Sequence, residues 1–353
     1  FSNIFDLSVH LTRNSRAAVM ALLIFMMAAF APLASAWAPA RRLPATRRVV
    51  QMDACPPGSK VLCVGNGPVL LLAAKRAALE GYQVSVVSGS STNQYEQLLY
   101  EPGAEPLANL KLLETITGTP KIEAAFDEIL ESCSGVIVAI DGDDPISDGL
   151  LDVVMPDTTT AKRVVVMSRN LNGKGLGPFV QASKSAANKE VWAGGSALVA
   201  EYKRMEAKVK SLCERSGAEW VVVRAGTLKG GGPASIDDET CAETTRLGLS
   251  SIFYGMGQQD IVNWRLLFDA SCQGVELTKG DVVEGPGLKG VFAATGITGD
   301  IRGDSSRHGV GSAMALALTS MLPKGNVDFA VGTKDSRTPP TPLDWELEFA
   351  KLN

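Results

Sequence analysis

Histidine is nearly missing from this chain: its 353 residues hold only two, His10 and His308. A zinc site built on several histidines is thereby excluded, and any triad needing a histidine base would have to use His308. Paired-cysteine spacing is missing as well. The six cysteines (Cys55, Cys63, Cys133, Cys213, Cys241, Cys272) form no C-x-x-C motif and mostly sit in apolar runs, as reduced, buried small residues do. A basic excess is also lacking. With a formal net charge of -4 the composition gives no reason to expect nucleic acid as a partner. Beyond the first fifty residues no apolar run is long enough to span a bilayer; Ser312 to Leu322 is only about a dozen residues and reads as a core helix. What is present is 45% hydrophobic residues against 20% charged, enough for one large α/β domain or two small ones with a sizeable core.

Residues 1–52 read as an address. Arg16 supplies a basic flank, an apolar run follows to Phe30, and Ala34-Ser35-Ala36 is a small-residue cleavage site. Then come Arg41, Arg42, Arg47 and Arg48, with no acid before Asp53, a transit-peptide composition. The junction Ala34-Ser35-Ala36-Trp37-Ala38-Pro39 resembles the Ala-Ser-Ala-Phe-Ala-Pro junction of diatom-type two-part plastid presequences. It implies a protein of a complex plastid, soluble once the presequence is removed. The alternative is a retained anchor, since the apolar run could cross a bilayer.

From residue 53 onward the chain reads as one domain. Val61 to Val64 form an apolar strand that runs into Gly65-Asn66-Gly67-Pro68-Val69-Leu70, then a helix to about Glu80 closed by Gly81, then a strand at Gln83 to Ser88. Further strands are expected at Leu110 to Ile116, Gly135 to Ile140, Arg163 to Ser168, Trp220 to Arg224 and Val327 to Gly332. Helices are expected at Ile122 to Ser132, Ser196 to Ser216, near Asp237 to Phe268, and at Trp345 to Leu352. Such alternation predicts an α/β fold: a Rossmann-like, doubly wound parallel sheet, with an irregular, glycine-rich C-terminal insertion (Gly280 to Gly303) over the strand ends.

The opening unit, Val164-Val165-Val166-Met167-Ser168, the run Ser216-Gly217-Ala218-Glu219-Trp220-Val221-Val222-Val223-Arg224-Ala225-Gly226-Thr227-Leu228, and Ser306-Arg307-His308-Gly309-Val310-Gly311 followed by Val327 to Gly332 stand in a telling order. Together they resemble the atypical short-chain dehydrogenase/reductases, the NmrA-like group of NAD(P)-binding proteins, over nearly all of Lys60 to Asn353. The resemblance implies a dinucleotide held at Gly65, Asn66, Gly67 and Val69 and at Ser88 and Ser90, no metal, and a small organic substrate. It implies proton transfer by Ser168 and Tyr202. Its other implied role is a non-catalytic scaffold or assembly factor for a plastid membrane complex.

Four positions depart from that pattern. Leu70 replaces the third glycine of the turn, and Pro68 removes a backbone donor at the helix start. Glu206 stands where a lysine would follow Tyr202 by one turn; it reads as an exposed i,i+4 partner of Lys210. After the second strand neither an acid nor a base appears, which tilts the cofactor toward NADP over NAD. Asp141, Asp143 and Asp144 read as a solvated acidic loop, Lys75 and Arg76 as solvated surface charges, Arg224 as internally paired, and His308 as a structural hydrogen-bonding or capping residue.

Overall fold

Strands β1 (Lys60–Asn66), β2 (Gln83–Ser88), β3 (Leu110–Glu114), β4 (Gly135–Ile140), β5 (Arg163–Arg169) and β6 (Glu219–Ala225) lie in one sheet with β8 (Gly274–Lys279) and β10 (Val327–Lys334). Between them run α1 (Pro68–Leu79), α2 (Thr92–Leu99), α3 (Pro120–Ser132), α4 (Asp148–Val154) and α5 (Gly195–Ser216). The short β7 (Thr227–Lys229) and β9 (Asp304–Ser306) pair separately, and α6 (Ser251–Gly255), α7 (Arg307–Leu316) and α8 (Pro342–Ala350) complete the elements. The computed structural model describes residues 55–88, 91–114, 120–142, 144–156, 159–171, 195–232, 247–256, 268–281 and 303–353. The expected presequence, Ser90, Cys241, most of the helical region expected near Asp237 to Phe268 and most of the Gly280 to Gly303 stretch lie outside the described residues.

The large sheet has the order β3-β2-β1-β4-β5-β6-β10-β8, and every pairing is parallel except β10 with β8. This is the doubly wound, Rossmann-like α/β architecture that the strand-helix alternation predicts. The winding order across the sheet reverses between β1 and β4, the switch point at which open α/β sheets bind ligands beyond the strand carboxyl ends.

The central strands are apolar on both faces because helices cover both. All seven residues of β5 are buried, as are the first five of β4. Alternate residues serve opposite layers. Val61, Cys63, Ile137 and Val165 pack with α1 and α7, whereas Leu62, Val64, Val136 and Val164 pack with Tyr202, Met205 and Val209 of α5. Helices α1 and α7 approach closely because Gly311 lacks a side chain: a Cβ there would lie 2.9 Å from the Ala73 amide nitrogen.

Several boundaries differ from those the sequence predicts. The apolar run Ser312 to Leu322 is helical only to Leu316. Thr319 Oγ1 donates back to the Leu316 carbonyl at 2.7 Å and the chain turns there, with Leu318 and Leu322 still buried. Helices α2 and α4 and the antiparallel edge strand β8 are not among the expected elements. In β8 the burial is one-sided and short, so no continuous apolar run marks it.

Candidate functional site

The turn Gly65-Asn66-Gly67 lies at the carboxyl end of β1, beside the end of β4. Gly65 pairs with Ala139 across the sheet at φ +141°, and a Cβ on it would fall 1.8 Å from the Ala139 carbonyl oxygen. Gly67 has φ +92°, with Asp141 Cβ 2.7 Å from where its own would stand. Both glycines are therefore required by the neighbouring chain at the end of β4. Pro68 is the first residue of α1, and the cap at Gly67 has no side-chain bond. Leu70 is fully buried in the α1 layer, and the Val69 side chain is buried too, so only the backbone at position 69 can meet a ligand.

Two neighbours close on this turn. The Gly67 N–H donates to Tyr95 Oη at 3.0 Å, and the phenol donates to Asn66 Oδ1 at 2.5 Å. On the other side Arg307 Nε donates to Asp141 Oδ2 at 2.6 Å while its Nη1 donates to the Gly230 carbonyl at 3.0 Å. The Asp141 carboxylate is thus buried and paired, which corrects the reading of it as part of a solvated loop. It is held because Arg307, the first residue of α7, reaches the end of β4. Asp143 lies outside the described residues, and Asp144 is exposed. Ser88 ends β2 in register with Gly65.

Ser168 and Tyr202 sit in the α5 layer. Ser168 is completely buried and donates its hydroxyl proton to Glu206 Oε1 at 2.7 Å; Glu206 lies one turn after Tyr202, which is itself 3% exposed. Arg224 clamps the same carboxylate, Nε to Oε1 at 2.9 Å and Nη2 to Oε2 at 2.8 Å, and reaches Asp328 Oδ2 through Nη1 at 2.5 Å. Burial alone would lower the Arg224 pKa, but the hydrogen bonds and charges of Glu206 and Asp328 outweigh it and push it up. Arg224 is internally paired, as its position predicts. Glu206 is not an exposed partner of Lys210, because α5 turns that face onto β6; Lys210 instead lies 4.5 Å above the Trp220 ring centre.

His308 is buried, with Nε2 3.3 Å from Ser312 Oγ, and desolvation followed by the Arg76 charge lowers its pKa to about 3. Lys75 corrects another expectation. Its ammonium is buried and donates to the carbonyls of Leu99 at 2.9 Å and Gly248 at 2.7 Å, beside a cavity of about 160 Å³ lined by Tyr100, Glu101 and Leu249. Arg76 is half-buried and pairs with Glu80 one turn on. Tyr95 and Asp269 are residues that sequence reasoning misses. The Asp269 carboxylate accepts from Gly231 N–H at 2.9 Å and Tyr254 Oη at 2.7 Å, and burial raises its pKa to about 7 against those hydrogen bonds. A lone acid in an apolar stretch is the available signal for Asp269; nothing in the sequence singles out Tyr95.

Among the described residues no group of three or more histidine, cysteine or carboxylate side chains is placed to hold a metal, and no helix is long and apolar enough to cross a membrane.

No family model matches the chain, and no curated protein matches it. Among solved structures it is similar to a putative epimerase from Bacteroides thetaiotaomicron, at 15% identity and TM-score 0.44, covering 78% of this chain and 97% of that one. It is also similar to Gre2 from Candida albicans, at 12% identity and TM-score 0.41 over 79% of each chain. A functionally unknown conserved protein from Silicibacter pomeroyi is similar at 13% identity and TM-score 0.40, over 80% of this chain and 74% of that one.

Proposed function

We propose that this chain binds a nicotinamide dinucleotide, NADP or NAD, in the crevice between β1 and β4, and acts as a nucleotide-dependent binding protein without proton transfer by Ser168 and Tyr202. The carrying observation is the left-handed glycine turn that joins β1 to α1 at the point where the sheet reverses. A helix start at that place offers backbone donors to a phosphate. The absence of an acid at Ser88 favours the 2′-phosphorylated form. Catalysis is left out because the Ser168 proton is committed to a carboxylate that Arg224 already neutralises.

Titration of the full chain with NADPH and NADH, followed by cofactor fluorescence, tests this reading. Saturable binding of either, with no hydride transfer to a panel of carbonyl and enone compounds, is the expected result. Absence of binding at millimolar nucleotide overturns the ligand, and turnover that Tyr202→Phe abolishes overturns the non-catalytic role. The same reading places the protein in a plastid, on the strength of residues 16–48 alone. N-terminal sequencing of the protein from its source tests that, a start at or beyond Trp37 being expected.

A further inference from the structure

The Tyr95 hydroxyl occupies the glycine turn as a ligand oxygen would. It accepts the Gly67 N–H at 3.0 Å and fixes Asn66 by donating to its side-chain oxygen at 2.5 Å. The helix start leaves its first amides without partners in the helix. Pro68 has no N–H to give and the Gly67 N–H is taken, so Val69 and Leu70 supply the remaining donors. We infer, resting on the dinucleotide reading above, that Tyr95 competes with the pyrophosphate of the ligand for the turn and sets the affinity of the site.

Helix α2 holds the phenol in place. Ser91 caps its start by accepting from Gln94 N–H. At its other end Ser250 N–H donates to the Leu98 carbonyl at 2.8 Å and Lys75 to that of Leu99 at 2.9 Å. Tyr95 is 3% exposed, with its ring packed in the α1 layer. A pyrophosphate oxygen that takes the Gly67 N–H must displace the hydroxyl and break its bond to Asn66. Affinity for the pyrophosphate is lowered accordingly, whereas the adenosine half of the ligand is unaffected.

The test is Tyr95→Phe, which keeps the ring and removes the hydroxyl. Full-length wild type and variant are titrated by calorimetry with NADPH, inorganic pyrophosphate and adenosine, with melting curves run alongside. One hydrogen-bond donor released corresponds to a gain of about three- to tenfold in affinity. The gain is expected for NADPH and pyrophosphate and not for adenosine. Equal or weaker binding by the variant, with wild type still binding NADPH, overturns the competition and leaves the dinucleotide reading standing. A gain that extends to adenosine also overturns it, because general loosening is then the cause. If neither protein binds any of the three, both the reading and the competition fail. Should Tyr95→Phe melt below the assay temperature, Asn66→Ala removes the acceptor that orients the phenol and is expected to move affinity in the same direction; no gain there overturns the proposal.

Discussion

Glu206 grips Arg224 with both carboxylate oxygens, at 2.9 and 2.8 Å, although one residue lies on α5 and the other belongs to the buried strand β6. Neither side chain is more than a tenth exposed, so each charge depends on the other for the solvation that burial removed. Glu206→Ala strands the Arg224 guanidinium with Asp328 as its remaining carboxylate. Loss of one partner of a buried pair costs about 3–5 kcal/mol. Urea unfolding followed by circular dichroism checks this; a cost under about 1 kcal/mol would match an exposed pair instead.

Ser168 belongs to the same network, so its replacement separates a structural hydroxyl from a catalytic one. Ser168→Ala removes a single buried donor while Glu206 keeps both Arg224 bonds. The expected cost is about 1 kcal/mol in stability, with NADPH affinity unchanged. Paired denaturation and titration of the two proteins read both quantities.

Much of the sheet is legible in the amino-acid sequence. Val164 to Met167 and Val136 to Ala139 are unbroken apolar runs because both faces of those strands are covered, and such runs carry their own signal. The edge strand β8 is buried on one side, and its Gly-Val-Glu-Leu-Thr-Lys holds no such run. The site is harder to read for a geometric reason. Helical spacing shows that Glu206 and Lys210 share a face, but not that Arg224 returns beneath that face from β6. Asp141 and Arg307 are 166 residues apart, and Tyr95 meets Gly67 from a short helix whose apolar spacing (Tyr95, Leu98, Leu99) marks a buried face but not what that face meets. The glycine turn is legible as a turn, whereas its occupants come from elsewhere in the chain.

Gly65→Ala tests whether the first glycine serves folding before it serves a ligand. An added methyl would meet the Ala139 carbonyl in the adjoining strand, at a φ that side chains rarely adopt. Steric overlap and backbone strain together cost about 3 kcal/mol or more. The drop in melting temperature is expected in the absence of any nucleotide. A variant as stable as wild type that has lost NADPH binding would show instead that the glycine is there for the ligand.

Burial disfavours the charged forms of both Asp269 and His308, and their titrations act on stability in opposite directions. Asp269 rises from an ordinary 3.8 to about 7 on folding. Its contribution is complete below 3.8 and is lost as pH climbs to 7, since the unfolded chain gives up that proton first. His308 falls from 6.5 to about 3. Its contribution is complete above 6.5 and is lost as pH drops toward 3, because the unfolded chain takes up the proton. Between 3.8 and 6.5 the two slopes, each about 1.4 kcal/mol per pH unit, oppose one another. Asp269→Asn retains an amide oxygen for Gly231 and Tyr254 but cannot ionise. Relative to wild type, this variant is expected to lose stability steadily as pH falls from about 6.5 to about 4, exposing the His308 slope. His308→Gln is expected to do the reverse, gaining relative to wild type as pH falls through the same range. Chemical denaturation at half-unit pH steps reads both differences, and parallel curves for all three proteins would show that neither group is neutral in the fold.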